Sequence, residues 1–185
     1  LMLKELEELE AENPQFFDPN SPTQRVGGSI TKSFKSSSHR YPMYSLSNTY
    51  TKDEIIKWEE RILKILGNDI TISFSCELKF DGASINLTYK EGELVKALTR
   101  GDGLMGDEIT ENIKTIKTIP LRLKGEYPKF FEVRGEIILP IKDFNKMNMQ
   151  RAELGEALYS NPRNTASGSL KLQDSSQVAR RPLKC

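Results

Sequence analysis

A lysine lies between two carboxylates in residues 71–82 of the chain. Polar and apolar residues alternate strictly there, which predicts a β-strand with Glu77, Lys79 and Asp81 on one face. The apolar residues would form the opposite face and pack on a core: Ile72, Phe74, Cys76, Leu78 and Phe80. A lysine amine held on such a strand could serve as a nucleophile. A hairpin turn after Asp81 beside a solvated lysine is the alternative, and this segment alone leaves both interpretations open.

Two further polar groups are predicted at the ends of other elements. A later strand delivers Arg100 to its end, and the Gly-Asp-Gly sequence at 101–103 permits a tight turn with positive φ angles. The sequence Asn161-Pro162-Arg163-Asn164 is typical of a helix start, where free N–H groups beside an arginine form an anion site. Each motif alone is weak evidence for a ligand.

A third strand is predicted to place Glu132, Arg134 and Glu136 on one face, with Gly135 allowing another group to approach the opposite face. A solvated charged face is the common explanation for any one strand of this kind. Three strands that each offer charge on one face instead indicate a polar floor for a charged ligand.

The elements that would position these residues follow from periodicity and caps. Residues 1–12 show helical spacing, and the Thr51/Glu54 capping box predicts a helix that ends at Gly67, with Trp58 in the core. Strands are predicted near 70–80, 84–90, 93–100 and 130–139, and short helices at 143–149 and 162–172. Residues 13–48 show no period. The order favours an α+β fold with antiparallel sheets and flanking helices.

Composition limits the class of protein. The chain has 185 residues, 37% hydrophobic and 29% charged, which is typical of a soluble globular domain, and we expect a cytoplasmic location without a membrane span. Two cysteines supply neither a disulfide scaffold nor a Cys-rich zinc site. With 27 basic and 26 acidic residues, nucleic-acid binding would need a local patch, for which the basic stretch at 163–184 is a candidate and a solvated tail the alternative.

The motifs, taken in order, resemble a known family. Lys79-Phe80-Asp81-Gly82 is similar to the Lys-x-Asp-Gly signature of covalent nucleotidyltransferases, which include DNA ligases, RNA ligases and mRNA capping enzymes. Five further segments make the resemblance more particular, to the adenylation domain of bacterial NAD-dependent DNA ligases: 42–48, 99–103, 132–136, 161–170 and 180–183. The likeness covers residues 39–183, and residues 3–14 are similar to the end of the small domain that precedes it.

The resemblance implies a nucleotidyltransferase fold and a set of roles. The Lys79 amine would attack the α-phosphorus of NAD, release nicotinamide mononucleotide and become a lysyl-AMP, with Asp81 assisting. The AMP would then pass to the 5′-phosphate of a nick in duplex DNA, and the 3′-hydroxyl would seal it. Mg²⁺ is expected as a cofactor, without an assigned protein ligand. The remaining roles are nucleotide contacts from Ser45, Leu46, Glu77, Arg100 and Glu136, and DNA phosphate contacts from Arg163 and Lys171.

The resemblance also implies how the chain is organised. Residues 1–36 would be the end of a small helical N-terminal domain with its linker, and residues 37–185 the N-terminal part of the adenylation domain. Because the later motifs of the family are missing, we expect the isolated chain to react slowly with NAD and to seal no nicks. Lys171 stands where the family usually has Arg, Tyr44 replaces Leu, and Leu104-Met105 replace smaller polar residues.

Several functions stay open from sequence. The resemblance implies a monomeric bacterial enzyme of DNA replication and repair, associated with the nucleoid and not with a membrane. An ATP-dependent ligase or a capping enzyme would share the Lys-x-Asp-Gly step. A noncatalytic module that holds a nucleotide or a duplex is the alternative outside enzymes.

Overall fold

The computed structural model describes residues 2–18, 20–25, 33–67 and 70–185. Contacts divide the chain into two compact units. The first comprises Leu1–Met43 and Phe80–Cys185, and the second is Tyr44–Lys79. Part of the predicted linker, residues 26–32, lies outside the described residues.

The first unit is built around an antiparallel sheet. Its strands, with a short two-stranded pair, are β1 (Ser36–Ser38), β2 (Ala83–Lys90), β3 (Glu93–Thr99), β4 (Met105–Asp107) and β5 (Phe130–Ile137). β2 is central, with β3 and β5 on either side, and β1 pairs with β4. The predicted strands at 84–90, 93–100 and 130–139 are therefore confirmed, and so is the antiparallel order.

Helices flank this sheet. The first unit contains α1 (Met2–Glu12), α3 (Thr110–Lys114), α4 (Ile141–Glu153), α5 (Pro162–Leu170) and α6 (Ser175–Ala179), and the second contains α2 (Lys52–Leu66). Two 3₁₀ turns, Pro14–Phe16 and Pro22–Arg25, and strand β1 lie in the stretch for which the sequence showed no period. The expected α+β class and the helices at 1–12, 143–149 and 162–172 are confirmed.

The core of the first unit lies on one face of β2. Ile85, Leu87 and Tyr89 alternate along this face and are each at most 5% exposed. The other buried apolar residues pack against them, among them Ile109, Ile113, Ile116, Ile119, Ala166, Leu170 and Val178. The strand connection that begins after Lys90 turns through Glu91 and Gly92, both with positive φ, as a two-residue hairpin turn requires.

The second unit contains helix α2 and the segment after it. The Thr51 Oγ1 accepts a hydrogen bond from the Glu54 amide at 3.2 Å, and the Glu54 carboxylate accepts one from the Thr51 amide, so the predicted capping box is confirmed. The helix ends at Gly67, whose φ is 97°. Trp58 contacts the ring of Phe74 but is 40% exposed, so the prediction of a core tryptophan is wrong.

The strand predicted at residues 70–80 is not formed. Its apolar side chains do not pack on a core: Cys76 is exposed, and Leu78 and Phe80 are 79% and 55% exposed. Alternation specifies which face a strand would bury, but a strand also needs a neighbour that pairs with its N–H and C=O groups. Periodicity carries no information about that neighbour, and this is why the prediction was wrong.

Candidate active site

A carboxylate on β5 holds the backbone that follows Asp81. Ser84 on β2 is the register partner of Glu136, and its hydroxyl donates to Glu136 Oε2 at 2.7 Å. The amide of Gly82 donates to the other oxygen, Oε1, at 3.2 Å. Because both carboxylate oxygens accept bonds from β2 or the residue before it, the position of Gly82 next to Asp81 is fixed on the sheet.

The predicted charged face of β5 is confirmed, whereas the strand at 70–80 that was to extend it is not formed. Thr88 and Ser84 on β2 donate to Glu132 and Glu136 on β5, so these two carboxylates share one face. The guanidinium of Arg134, which lies between them, donates from Nη2 to the carbonyl oxygens of Tyr41 and Pro42, each at 2.9 Å. Residues 41–42 therefore pass over this face, and Arg134 ties them to β5.

Gly135 has the role that the sequence predicted for it. It is the register partner of Ile85, a core residue, so it lies on the apolar face of the sheet. A Cβ at Gly135 would lie 3.0 Å from Cys185 Sγ, which is tighter than ordinary van der Waals contact. The glycine thus allows the thiol to approach the strand.

One polar side chain of β2 is buried without a partner. Asn86 is 1% exposed, and its strand neighbours are Arg134 on β5 and Leu98 on β3. Neither Nδ2 nor Oδ1 has a hydrogen-bond partner among the described residues.

The turn after Arg100 has the predicted geometry. Gly101 and Gly103 have φ angles of 56° and 96°. Between them, Asp102 Oδ1 accepts the amides of Met105 at 2.7 Å and Leu104 at 2.9 Å, and these bonds hold the pKa of the Asp102 carboxyl below its usual range. The turn is thus closed by its own side chain.

A histidine supports the same turn from outside. The carbonyl oxygen of Arg100 lies 3.1 Å from His39 Nε2, and because a carbonyl can only accept, Nε2 is the donor. The His39 amide also donates to the carbonyl of Leu104 at 2.9 Å. The end of β3 that carries Arg100 is therefore held against residue 39.

Both predicted phosphate-binding cations lie beside carboxylates. Arg163 Nη1 is 3.5 Å from Asp81 Oδ1, with both side chains more than half exposed, so this ion pair contributes little to stability. Lys171 Nζ lies 2.9 Å from Asp107 Oδ2. The predicted helix start before Arg163 is confirmed, since Asn161 Oδ1 accepts the Asn164 amide at 2.7 Å.

The other predicted site residues belong to the second unit. Ser45, Leu46, Glu77 and Lys79 are all exposed there, and Leu46 is 77% exposed. Asp81, Arg100, Glu136, Arg163 and Lys171 belong to the first unit. Of these, Asp81 forms an ion pair with Arg163, and Glu136 accepts a hydrogen bond from the amide of Gly82, the residue after Asp81. Lys79 directly precedes Phe80, with which the first unit resumes.

Three contributing residues were not predicted from sequence: Ser84, His39 and Asp107. Alternation along β2 would have placed Ser84 on the face of the charged residues, so a signal for it existed. The contacts of His39 and Asp107 join residues more than 60 positions apart, which no local pattern encodes.

Two further properties concern metal binding and membrane crossing. Among the described residues, no group of three or more His, Cys, Asp or Glu side chains could hold a metal ion. In the same part of the chain, every helix is too short or too polar to cross a membrane.

Comparison with known proteins gives two family matches. Residues 31–185 match the family described as the NAD-dependent DNA ligase adenylation domain, and residues 1–27 match the DNA ligase-like, N-terminal NAD⁺-binding domain. Three similar relatives, each named DNA ligase, come from Flavobacterium johnsoniae, Christiangramia forsetii and Cytophaga hutchinsonii. They are 62%, 59% and 51% identical over the whole of this chain, which spans 28%, 28% and 27% of their own lengths.

Proposed function

The chain belongs to the family of NAD-dependent DNA ligase adenylation domains, and from this membership we propose that it carries the adenylation chemistry of such a ligase. The nucleotidyltransferase fold expected from the sequence is that of this family. The Lys79 amine, after losing its proton to solvent, attacks the α-phosphorus of NAD. A nitrogen–phosphorus bond forms, the bond to nicotinamide mononucleotide breaks, and AMP stays on the lysine.

One observation carries the proposal beyond family membership. Glu136 accepts the amide of Gly82, the last residue of the Lys-x-Asp-Gly signature, so the backbone beside Asp81 has a fixed place on the polar face of the sheet. Preorganised groups of this kind lower the cost of orienting a reacting phosphate. Lys79 is exposed, as a nucleophile for a soluble dinucleotide must be.

The nucleotide contacts are those that the resemblance to the family implies. Glu77 offers a carboxylate acceptor to the adenine amino group, and Ser45 and Leu46 line the nucleotide. Arg100 and Glu136 contact ribose and phosphate. These residues suit a nucleotide, because they combine an exposed apolar side chain with hydroxyl, carboxylate and guanidinium groups.

Mg²⁺ fits the same proposal. Mg²⁺ in phosphoryl transfer is commonly held by substrate phosphates, water and one or two carboxylates, so a cage of three protein ligands is not required. Bound to NAD, it would neutralise charge on the α-phosphate. Asp81, two residues after Lys79 in the sequence, is the carboxylate that would assist this step.

The complete reaction is proposed from the family. AMP passes from Lys79 to the 5′-phosphate of a nick in duplex DNA, and the 3′-hydroxyl displaces it to seal the strand. Arg163 and Lys171, which form ion pairs with Asp81 and Asp107, then exchange these carboxylates for DNA phosphates. Such an enzyme would act as a monomer in DNA replication and repair in the bacterial cytoplasm, at the nucleoid.

The test is covalent labelling of the intact protein. Incubation with NAD and Mg²⁺ should add one AMP, detected by mass spectrometry, and Lys79→Ala should abolish it. Lys90→Ala is the matched control, because Lys90, at the end of β2, is exposed as Lys79 is, and it should label normally. Undiminished labelling of Lys79→Ala would refute the assignment, and labelling by ATP but not by NAD would refute the choice of substrate.

A further inference from the structure

Arg25 binds three backbone carbonyls at once. It closes the 3₁₀ turn Pro22–Arg25, and its Nη1 donates to the carbonyl oxygens of Lys114 at 3.0 Å and Ile116 at 3.3 Å. Its Nη2 donates to the carbonyl oxygen of Ile119 at 3.3 Å. A planar guanidinium can reach three carbonyls in this way because its N–H groups diverge in one plane, whereas a lysine is a point charge.

This contact lies against the core of the first unit. Ile116 and Ile119 are 3% and 1% exposed, and the burial of Arg25 lowers the pKa of its guanidinium. Removing a cation partly from water costs free energy when its partners are neutral carbonyls, unless each N–H donor makes a hydrogen bond. The contact is therefore specific in geometry, unlike a surface ion pair.

A second set of contacts anchors the same segment. Asn20 Nδ2 donates to Glu93 Oε2 at 3.2 Å, and Asp18 Oδ2 lies 3.3 Å from Arg122 Nη2. Arg122 also pairs with Glu93 at 2.5 Å, so these four side chains form one network across the segment and β3. Arg25 and this network together attach residues 18 and 20–25 to the sheet and to the loop after α3.

Helix α1 is joined to the anchored segment. The two carboxylate oxygens of Glu10 accept hydrogen bonds from the hydroxyls of Ser21 and Thr23. These bonds lower the pKa of the Glu10 carboxyl. A continuous series of side-chain contacts therefore leads from α1 through residues 20–25 to the body of the unit.

The Arg25 contact crosses the boundary between the two family matches. Residues 1–27 match the N-terminal NAD⁺-binding domain, whereas Lys114, Ile116 and Ile119 lie in the region that matches the adenylation domain. We infer that Arg25 is a positioning residue: it fixes the end of the N-terminal NAD⁺-binding module on the adenylation module and so places that module for the reaction with NAD. The inference rests on the proposed function.

The inference separates two steps of the reaction. Formation of lysyl-AMP uses NAD and needs the N-terminal module in place. Sealing of a nick that already carries AMP on its 5′-phosphate uses no NAD. A residue that only supports the fold would affect both steps, but a residue that places the NAD⁺-binding module affects the first alone.

The experiment compares both steps in the intact protein. Arg25→Gln should lower kcat/KM for NAD in lysyl-AMP formation by about 10- to 100-fold, as expected for a misplacement of about 1 Å. Sealing of the pre-adenylated nick should stay within about twofold of the parent rate, because folding and DNA binding are preserved. Arg25→Lys should recover part of the loss. Arg61→Gln, which removes the same charge from the exposed face of α2, is the control and should change neither step.

Each other outcome is decisive. Equal losses in both steps would make Arg25 merely structural and would overturn the inference, as would unchanged lysyl-AMP formation by Arg25→Gln. If the parent protein itself forms no lysyl-AMP with NAD, the proposed function fails and the inference fails with it. Failure confined to the Arg25 variants leaves the proposed function intact.

Discussion

The carboxylate of Glu136 accepts a hydrogen bond from the hydroxyl of Ser84 at 2.7 Å, across the pairing of β5 with β2. Its second oxygen accepts the Gly82 amide. Glu136 therefore has a structural role. We propose that it also contacts NAD, and both roles use the same face of the sheet. Two substitutions separate these roles.

Ser84→Ala removes one hydrogen bond and leaves the carboxylate in place. We expect it to lower the free energy of unfolding by about 1.5–3 kcal/mol, the range for a hydrogen bond to a charged group, and to leave lysyl-AMP formation within about twofold. Glu136→Gln retains the shape but loses the charge, and it should slow lysyl-AMP formation at least about tenfold. Denaturant titration and single-turnover adenylation measure the two quantities. Equal rates in the two variants would show that Glu136 acts only in the fold.

Glu77 is predicted to recognise adenine. Glu77→Gln should weaken NAD binding by about 1.5–3 kcal/mol, the range for a hydrogen bond to a charged group. A dinucleotide with hypoxanthine in place of adenine, which lacks the amino group, should bind the parent protein with a similar loss. Calorimetry with both dinucleotides and both proteins completes a cycle, in which the two losses should not add. Equal affinity of the parent for the two bases would contradict this role.

Sequence predicted the elements with local signals well. The Thr51/Glu54 capping box and the Gly-Asp-Gly turn at 101–103 each depend on residues within a few positions, and both have the predicted geometry. The polar face of β5 was predicted because alternation is local too. The prediction of a strand at 70–80 was wrong, because the pairing of a strand with its neighbour does not depend on local sequence. Its alternation is real, yet the described residues 70–80 form no strand.

The candidate site shows the same division. Motif positions such as Asp81 and Arg163 could be chosen from sequence, but their mutual ion pair could not, since 82 positions separate them. Likewise, the carboxylate partner of Lys171 lies on β4, and nothing in the local sequence indicates it. The roles assigned to the site residues remain predictions.

Substitution of Gly101 by alanine tests the geometry of the turn that follows Arg100. A Cβ at Gly101 would overlap the carbonyl oxygen of Met105, and its φ of 56° is left-handed. Gly125 has a similar φ of 79°, but a Cβ there would have nothing within 4 Å. Gly125→Ala should therefore cost only the left-handed backbone term of about 1–2 kcal/mol. Gly101→Ala should cost clearly more, because Met105 must also move, and urea denaturation of both variants measures the difference. Similar losses in the two would mean that the turn adapts freely.

The last prediction concerns pH and Tyr89. This tyrosine is 2% exposed, and its hydroxyl donates to the carbonyl of Pro120 at 2.8 Å. Burial, with a smaller effect of Cys185, raises the pKa of Tyr89 from 10.0 to about 12, although Arg25 acts in the opposite direction. The folded protein therefore keeps the phenol protonated at a pH where the unfolded chain releases the proton. The stability that this difference contributes is fully present below pH 10 and is lost as the pH rises to about 12.

We expect the free energy of unfolding of the parent to fall by about 2 kcal/mol more than that of Tyr89→Phe over this window, since one pKa unit corresponds to about 1.4 kcal/mol. Tyr89→Phe has no phenol to ionise, so its difference from the parent isolates this group from the lysines and other tyrosines that titrate nearby. Tyr50→Phe is the matched control, because Tyr50 is 83% exposed, and it should follow the parent curve. Denaturant titrations at intervals between pH 9 and 12 measure the three curves. Parallel curves for the parent and Tyr89→Phe would contradict a raised Tyr89 pKa and would mean that water reaches this phenol in the folded state.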